Sequence, residues 1–190
     1  MRGGPDGNER LTAASGAVLF VLLAAEGVTI LSIRQLLSPH IFIGMLLIPP
    51  VALKLGSTGW RFMRYYRGAS EYRRKGPPLL PLRLLAPVSV VSTVALLGTG
   101  VALVILGPRG GIVLGLHKAS FVVWLVATGI HVLAYLPRVP RLVAGDWRPS
   151  ARLAGVGGRR LLVAGAVVAG AILAVATAGS ADAWVDVMAR

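Results

Sequence analysis

The chain has 190 residues, of which 55% are hydrophobic and only 14% are charged, and its mean hydropathy is +0.74. Soluble domains carry about 25% charged residues, so the composition excludes an ordinary soluble domain and predicts one membrane-embedded helical domain over residues 1–190. The absence of cysteine excludes disulfides, c-type haem attachment, and iron–sulfur or zinc sites on protein thiolates.

Five hydrophobic segments follow one another along the chain, each long enough to cross about 30 Å of hydrocarbon as a helix. They cover residues 11–33, 38–56, 84–106, 116–136 and 161–178. The second is the shortest, and Pro49 and Pro50 are expected to kink it. The first is too long for a signal peptide and lacks a clear cleavage site. We therefore predict an all-α integral membrane protein of five transmembrane helices.

Two loops hold most of the positive charge. Residues 57–83 and 137–160 together contain 13 of the 20 lysines and arginines. The loops follow the second and the fourth of the five helices, so both lie on the same side of the membrane. The positive-inside rule makes this the cytoplasmic side. The amino terminus is then cytoplasmic and the carboxyl terminus lies outside. The net charge of +13 is interpreted as a topology signal and as contact with anionic membrane lipid, not as nucleic-acid binding.

All three histidines lie inside or at the mouth of hydrophobic segments. His117 and His131 are 14 residues apart, which is about 21 Å along a helix and leaves both on nearly the same stripe. His40 and His117 stand at the outer starts of two segments that run in the same direction, so their depths match. Ionisable groups within membranes rarely lack a role, and histidine is the commonest metal ligand. The pattern predicts haem b with His40 and His117 as axial ligands of the iron.

Three glycines are expected to leave room for the flat haem ring. Gly44 follows His40 by one helical turn. Gly98 and Gly100 lie in the outer half of the third segment, where a porphyrin edge can approach the backbone. We assign these glycines to haem packing.

The inner level of the membrane is less regular. Lys54 follows His40 by the same 14 residues that separate His117 from His131, so lysine stands where a second ligand pair would need histidine. A neutral lysine can ligate iron, but it can also reach the headgroups or neutralise a haem propionate. His131 can equally serve as a hydrogen-bonding residue between helices. We expect one haem, and a second haem at Lys54 and His131 is the alternative.

Glu26 is the only acidic residue deep in an apolar segment, which makes it a candidate functional group. It could accept a proton from a quinol. It could also pair with Arg34 or Lys118 near the outer surface.

The chain resembles the bacterial membrane cytochrome b superfamily, which includes cytochrome b561-type proteins and the gamma subunits of formate dehydrogenases and hydrogenases. It also resembles short actinobacterial proteins with a cytochrome b/b6 domain. The resemblance covers about residues 15–136, and Lys54 departs from its pattern of paired histidines. The residues that carry it are His40 with Gly44, the stretch 54–66, Gly98-Thr99-Gly100, and His117 through Trp124 to His131.

The resemblance implies that the first four helices form a haem-binding four-helix bundle in a bacterial plasma membrane. It also implies electron transfer between quinone and a partner redox protein, commonly an extracytoplasmic one. The function predicted is thus a b-type cytochrome membrane subunit, not a stand-alone catalyst. The alternative is a non-redox membrane subunit that scaffolds a larger complex, in which the histidines serve only in packing.

Overall fold

The computed structural model describes residues 3–76, 80–109, 111–148 and 153–188. Throughout these ranges every regular element is a helix, and five helices are long and apolar enough to cross a membrane, which confirms the predicted class. The helices are α1 Gly4–Leu31, α2 Leu37–Tyr66, α3 Ser70–Lys75, α4 Leu80–Leu106, α5 Gly111–Tyr135, α6 Val139–Trp147, α7 Val156–Ala176 and α8 Asp182–Met188.

Helices begin earlier or end later than the apolar segments from which they were predicted. The largest difference is in α2, which continues to Tyr66, ten residues into the predicted loop 57–83. An apolar window ends at the first charged residues, whereas a helix continues as long as its backbone hydrogen bonds and side-chain propensities allow. The two basic loops also contain α3 and α6. Their residues 77–79 and 149–152 lie outside the described part of the chain.

Two groups of helices make up the bundle. In the first, α2 packs along both α1 and α7, and α1 also contacts α6. In the second, α4 and α5 form an antiparallel pair that adjoins the first group through contacts between α4 and α2. Among the described residues, α5 has no comparable packing against α1, α2 or α7. The haem-bundle prediction gave the central role to the first four helices, but the fifth span, α7, is one of the main partners of α2.

The contact between α2 and α7 is close because it is made at a glycine. A Cβ atom added to Gly170 would lie 2.2 Å from the backbone oxygen of Leu46. Gly170 is buried, and its neighbour Ala174 is fully buried. Gly170 and Ala174 of α7 thus allow tight packing within the bundle.

One end of the bundle, called here the basic end, is formed by the start of α1, the end of α2, α3 and α6. Asp146 on α6 is its centre: its carboxylate accepts hydrogen bonds from Arg159 at 2.5 and 2.7 Å and from Arg10 at 2.9 Å. Arg159 is only 3% exposed. This network joins α6 to α1 and α7. At the same end, the Asn8 side chain donates to the Ser57 carbonyl and ties α1 to α2.

The opposite end, called here the histidine end, holds the α1–α2 turn and the starts of α5 and α8. The segment after α7 folds back over this end, with residues 178–181 against α2. The indole of Trp184 is buried and donates to the Leu103 carbonyl of α4 at 3.3 Å. The carboxyl-terminal segment therefore connects the two helix groups.

The outer faces of the long helices are apolar. Val21, Ile105, Leu133, Leu161 and Ile172 are each more than half exposed. Exposed apolar surface of this extent is unfavourable in water but suits contact with lipid. These faces therefore indicate a chain that is embedded in a membrane.

Candidate functional site

His40 is held by residues of the neighbouring helix α1. The chain turns sharply between Leu31 and Leu37, so α1 and α2 run antiparallel, and Glu26 and Thr29 lie opposite His40. The His40 Nδ1 atom is 2.9 Å from the Glu26 Oε1 atom and 3.0 Å from the Thr29 hydroxyl. That hydroxyl also donates to the Glu26 backbone oxygen at 2.6 Å. Because a carboxylate only accepts hydrogen bonds, this arrangement places the proton on Nδ1.

His117 is held in a similar way by α4. Its Nδ1 atom is 3.1 Å from the Leu96 carbonyl oxygen and 3.1 Å from the Thr99 hydroxyl. A carbonyl oxygen can only accept, so the Nδ1 atom of His117 also carries the proton. Gly100 provides the space for the ring, since a Cβ atom added there would lie 3.3 Å from the His117 Cε1 atom.

The structure brings His40 and His117 together, as the matched depths predicted. The centroids of their rings are 6.4 Å apart, and the ring planes are inclined by 83°. No described residue hydrogen bonds to the Nε2 atom of either ring. The Nδ1 atom of His40 faces an acceptor on α1 and that of His117 faces one on α4, and each Nε2 atom keeps the lone pair that binds metals.

Two apolar grooves lie near the pair, but neither is lined by His40 or His117. One, of about 460 Å³, runs between α4 and α5 and includes Ser120. The other, of about 450 Å³, includes Pro39 on α2.

The other two predicted packing glycines lie at different places. A Cβ atom added to Gly44 would lie 3.7 Å from the Glu26 Oε1 atom, so this glycine adjoins the carboxylate. Around Gly98, by contrast, no atom of the described residues lies within 4 Å of an added Cβ atom. Gly98 therefore faces open space on α4.

Lys54 on α2 and His131 on α5 lie at the other level of the bundle, and no hydrogen bond among the described residues joins them. The Lys54 ammonium donates to the Thr12 carbonyl of α1 at 2.7 Å, and Gly16 leaves the space for it. The Nδ1 atom of His131 is buried and has no hydrogen-bond partner among the described residues, and its ring packs against Tyr135. The expected helix-bridging hydrogen bond is thus not found for Nδ1.

The partner of Glu26 differs from those expected from the sequence. Arg34 and Lys118 were the expected candidates, but the described structure pairs the carboxylate with His40. One signal was present in the sequence. A short turn near residue 33 brings residues at equal distances from it face to face in an antiparallel hairpin, and residues 26 and 40 satisfy that condition. Thr29 and Thr99, which line the two histidines, carried no such signal.

Comparisons with protein-family models, with curated proteins and with solved structures give no match to this chain. The resemblance to membrane cytochromes b thus stays a prediction, and the functional argument rests on the geometry of the site. Within the described residues, no group of three or more histidine and acidic side chains could hold a metal ion. A haem iron needs only two axial ligands from the protein.

Proposed function

We propose that the protein is a membrane cytochrome subunit that holds one haem b between His40 and His117 and transfers electrons. The observation that carries this proposal is the paired arrangement of the two imidazoles, each with Nδ1 satisfied and with no described hydrogen-bond partner at Nε2. Metal-bound histidines almost always donate their second ring N–H to a carboxylate, a backbone carbonyl or water. Glu26 and Leu96 supply two such acceptors here.

The spacing of the rings supports the same proposal. A metal about 2 Å from one nitrogen of each of two rings separates the ring centroids by roughly 6 Å. The distance between the His40 and His117 centroids is 6.4 Å. An edge-to-face contact between the two rings has the same spacing and inclination. The feature that favours a bound metal is that neither Nε2 atom has a described hydrogen-bond partner.

His40 and His117 would hold the haem, which would supply one-electron chemistry when bound. Thr29 and Thr99 help to fix the rotation of the imidazoles, and Gly100 gives His117 its place against α4. The apolar helices exclude water and keep the dielectric low, which is one of the levers by which proteins tune haem potentials.

We further propose quinone as the electron-transfer partner within the membrane and an extracytoplasmic redox protein as the aqueous partner. The two apolar grooves, which include Ser120 and Pro39 but neither histidine, are where a quinone dissolved in the lipid would lie. The histidine end faces away from the basic end, so the positive-inside rule places the haem near the outer surface of a bacterial plasma membrane. Reporter fusions at Gly76 and at the carboxyl terminus test this orientation and should report opposite sides.

The absorption spectrum of the purified protein tests the central proposal. After expression with sufficient haem, the reduced protein should show the sharp bands of low-spin, bis-histidine haem b. Replacing His40 or His117 with alanine removes one of the two side chains that would hold the haem and should abolish that spectrum. His131→Ala is the matched control, since its position lies about 20 Å along α5 from His117, and it should keep the spectrum. A wild-type protein without haem would contradict the proposal and favour the scaffolding alternative.

A further inference from the structure

We infer that Glu26 is a positioning residue for His40, which fixes the tautomer of this ligand and places a negative charge beside one ligand only. The inference rests on the proposed haem site and deepens it, because it assigns the two ligands unequal electronic character. Its structural part, the control of the His40 tautomer, holds with or without the haem.

The contacts of Glu26 point to this role. Its side chain is 13% exposed and that of His40 is 22% exposed, so the 2.9 Å contact between them is largely removed from solvent. The second carboxylate oxygen, Oε2, lies 3.4 Å from the Thr29 hydroxyl. No lysine or arginine among the described residues forms an ion pair with Glu26. The carboxylate therefore acts on His40 without a competing cation.

The surroundings keep the carboxylate in place. Thr29 is buried, with 4% of its surface exposed, and contacts both Glu26 and His40. Gly44, one turn after His40, leaves the Oε1 atom room on the side of α2. An acidic residue at this depth is costly unless it is satisfied, and its hydrogen bond to an imidazole N–H supplies a specific partner.

Among the described residues, no charged side chain hydrogen bonds to the Nδ1 atom of His117. Its Nδ1 atom meets the Leu96 carbonyl and the Thr99 hydroxyl, and both of these groups are neutral. Hydrogen bonding to a carboxylate raises the basicity of a ligating imidazole more than bonding to a neutral group does. A more basic ligand and a nearby negative charge both favour ferric over ferrous iron, so Glu26 should lower the midpoint potential of the haem.

This assignment differs from the expectation that Glu26 serves as a free proton acceptor for a quinol. One carboxylate oxygen contacts His40 and the other approaches Thr29, so the group is engaged on both sides. If Glu26 holds His40 in place, replacing Glu26 should change the tautomer and the ligand properties of His40. If Glu26 only accepts protons from a quinol, replacing it should leave those properties of His40 unchanged.

The experiment uses the full chain in detergent micelles and the variants Glu26→Gln, Glu26→Ala and, as a control, Glu71→Gln. The first readout is nitrogen NMR of labelled histidine in protein prepared without haem, with His40 assigned by its own substitution. In the wild type His40 should be protonated at Nδ1. In Glu26→Ala the Nδ1-protonated fraction should fall, whereas Glu26→Gln should preserve it through the amide oxygen.

The second readout is the midpoint potential of the haem-loaded protein. Glu26→Gln should raise it, because the charge is lost while the acceptor remains. Glu71→Gln, the matched control on α3 at the basic end, removes the same charge away from both histidines and should leave the potential nearly unchanged. If His40 is protonated at Nε2 in the wild type, or if Glu26→Gln leaves the potential unchanged, the inference is wrong. If the wild type binds no haem, the proposed function fails, and the NMR result alone then decides whether Glu26 positions His40.

Discussion

Replacing Gly170 with alanine should separate α7 from α2 and destabilise the bundle. The added Cβ atom would lie 2.2 Å from the Leu46 backbone oxygen and 3.1 Å from its carbonyl carbon. An ordinary contact can be restored only by a relative shift of about 1 Å between two packed helices. Because a backbone oxygen cannot rotate out of the way as a side chain can, the cost should match that of overpacking, about 1–3 kcal/mol.

Gly165→Ala is a matched control in the same helix. No atom among the described residues lies within 4 Å of a Cβ atom added there, and Gly165 is exposed. Both variants gain the greater helix propensity of alanine, about 1 kcal/mol, so the difference between them isolates the clash. Scanning fluorimetry in detergent should give Gly170→Ala a Tm roughly 2–12 °C below that of Gly165→Ala, at about 2–4 °C per kcal/mol. Equal values of Tm would refute the close contact of α2 and α7.

Two further substitutions test the site and the basic end. Gly100→Ala should displace the His117 ring by a few tenths of an ångström, since the new Cβ atom would lie 3.3 Å from its Cε1 atom. The displacement should weaken haem retention by about tenfold or less. Gly98→Ala is the control and should not change haem retention. Asp146→Asn should destabilise the protein by about 3–5 kcal/mol, because it leaves the buried Arg159 guanidinium without its counter-charge. Unfolding in mixed detergent micelles measures this second loss, and a change below about 1 kcal/mol would contradict the central role of Asp146.

The number and type of the spanning helices follow from the sequence because each one needs a long apolar segment. Helix ends do not follow in the same way. In α2, the residues from 57 to Tyr66 mix charged, polar and aromatic side chains, so hydropathy predicts a loop where the structure has helix. The contact of Asp146 with Arg10 was not predictable either, because 136 residues separate them and no local pattern marks the pairing.

The sequence predicted the two histidines that lie at the same depth in the membrane. It predicted much less about the residues that hydrogen bond to them. Matched depth predicted that His40 and His117 lie together, and their rings are 6.4 Å apart in the structure. Their acceptors come from other helices, α1 and α4, and depend on which helices become neighbours and how they are rotated. Hydropathy determines neither property, so Leu96 and Thr99 could not be assigned to His117 beforehand.

The same acceptors bear on how many haems one chain would bind. The Nδ1 atoms of His40 and His117 are both satisfied by oxygen acceptors, as is usual for metal-bound histidines. At the level of His131, the Nδ1 atom is buried without a described partner, and the opposing Lys54 donates to the Thr12 carbonyl. A lysine that donates a hydrogen bond to the backbone would have to leave it, and lose a proton, before it could bind iron.

We therefore expect one haem b per chain. A pyridine haemochrome assay, combined with amino-acid analysis for the protein concentration, should give a ratio near one. Lys54→Met should leave that ratio unchanged if only the level of His40 and His117 binds haem. A ratio near two in the wild type that falls to one in Lys54→Met would instead show that Lys54 exchanges the Thr12 carbonyl for iron. The buried Nδ1 atom of His131 would then need an acceptor that the described residues do not supply.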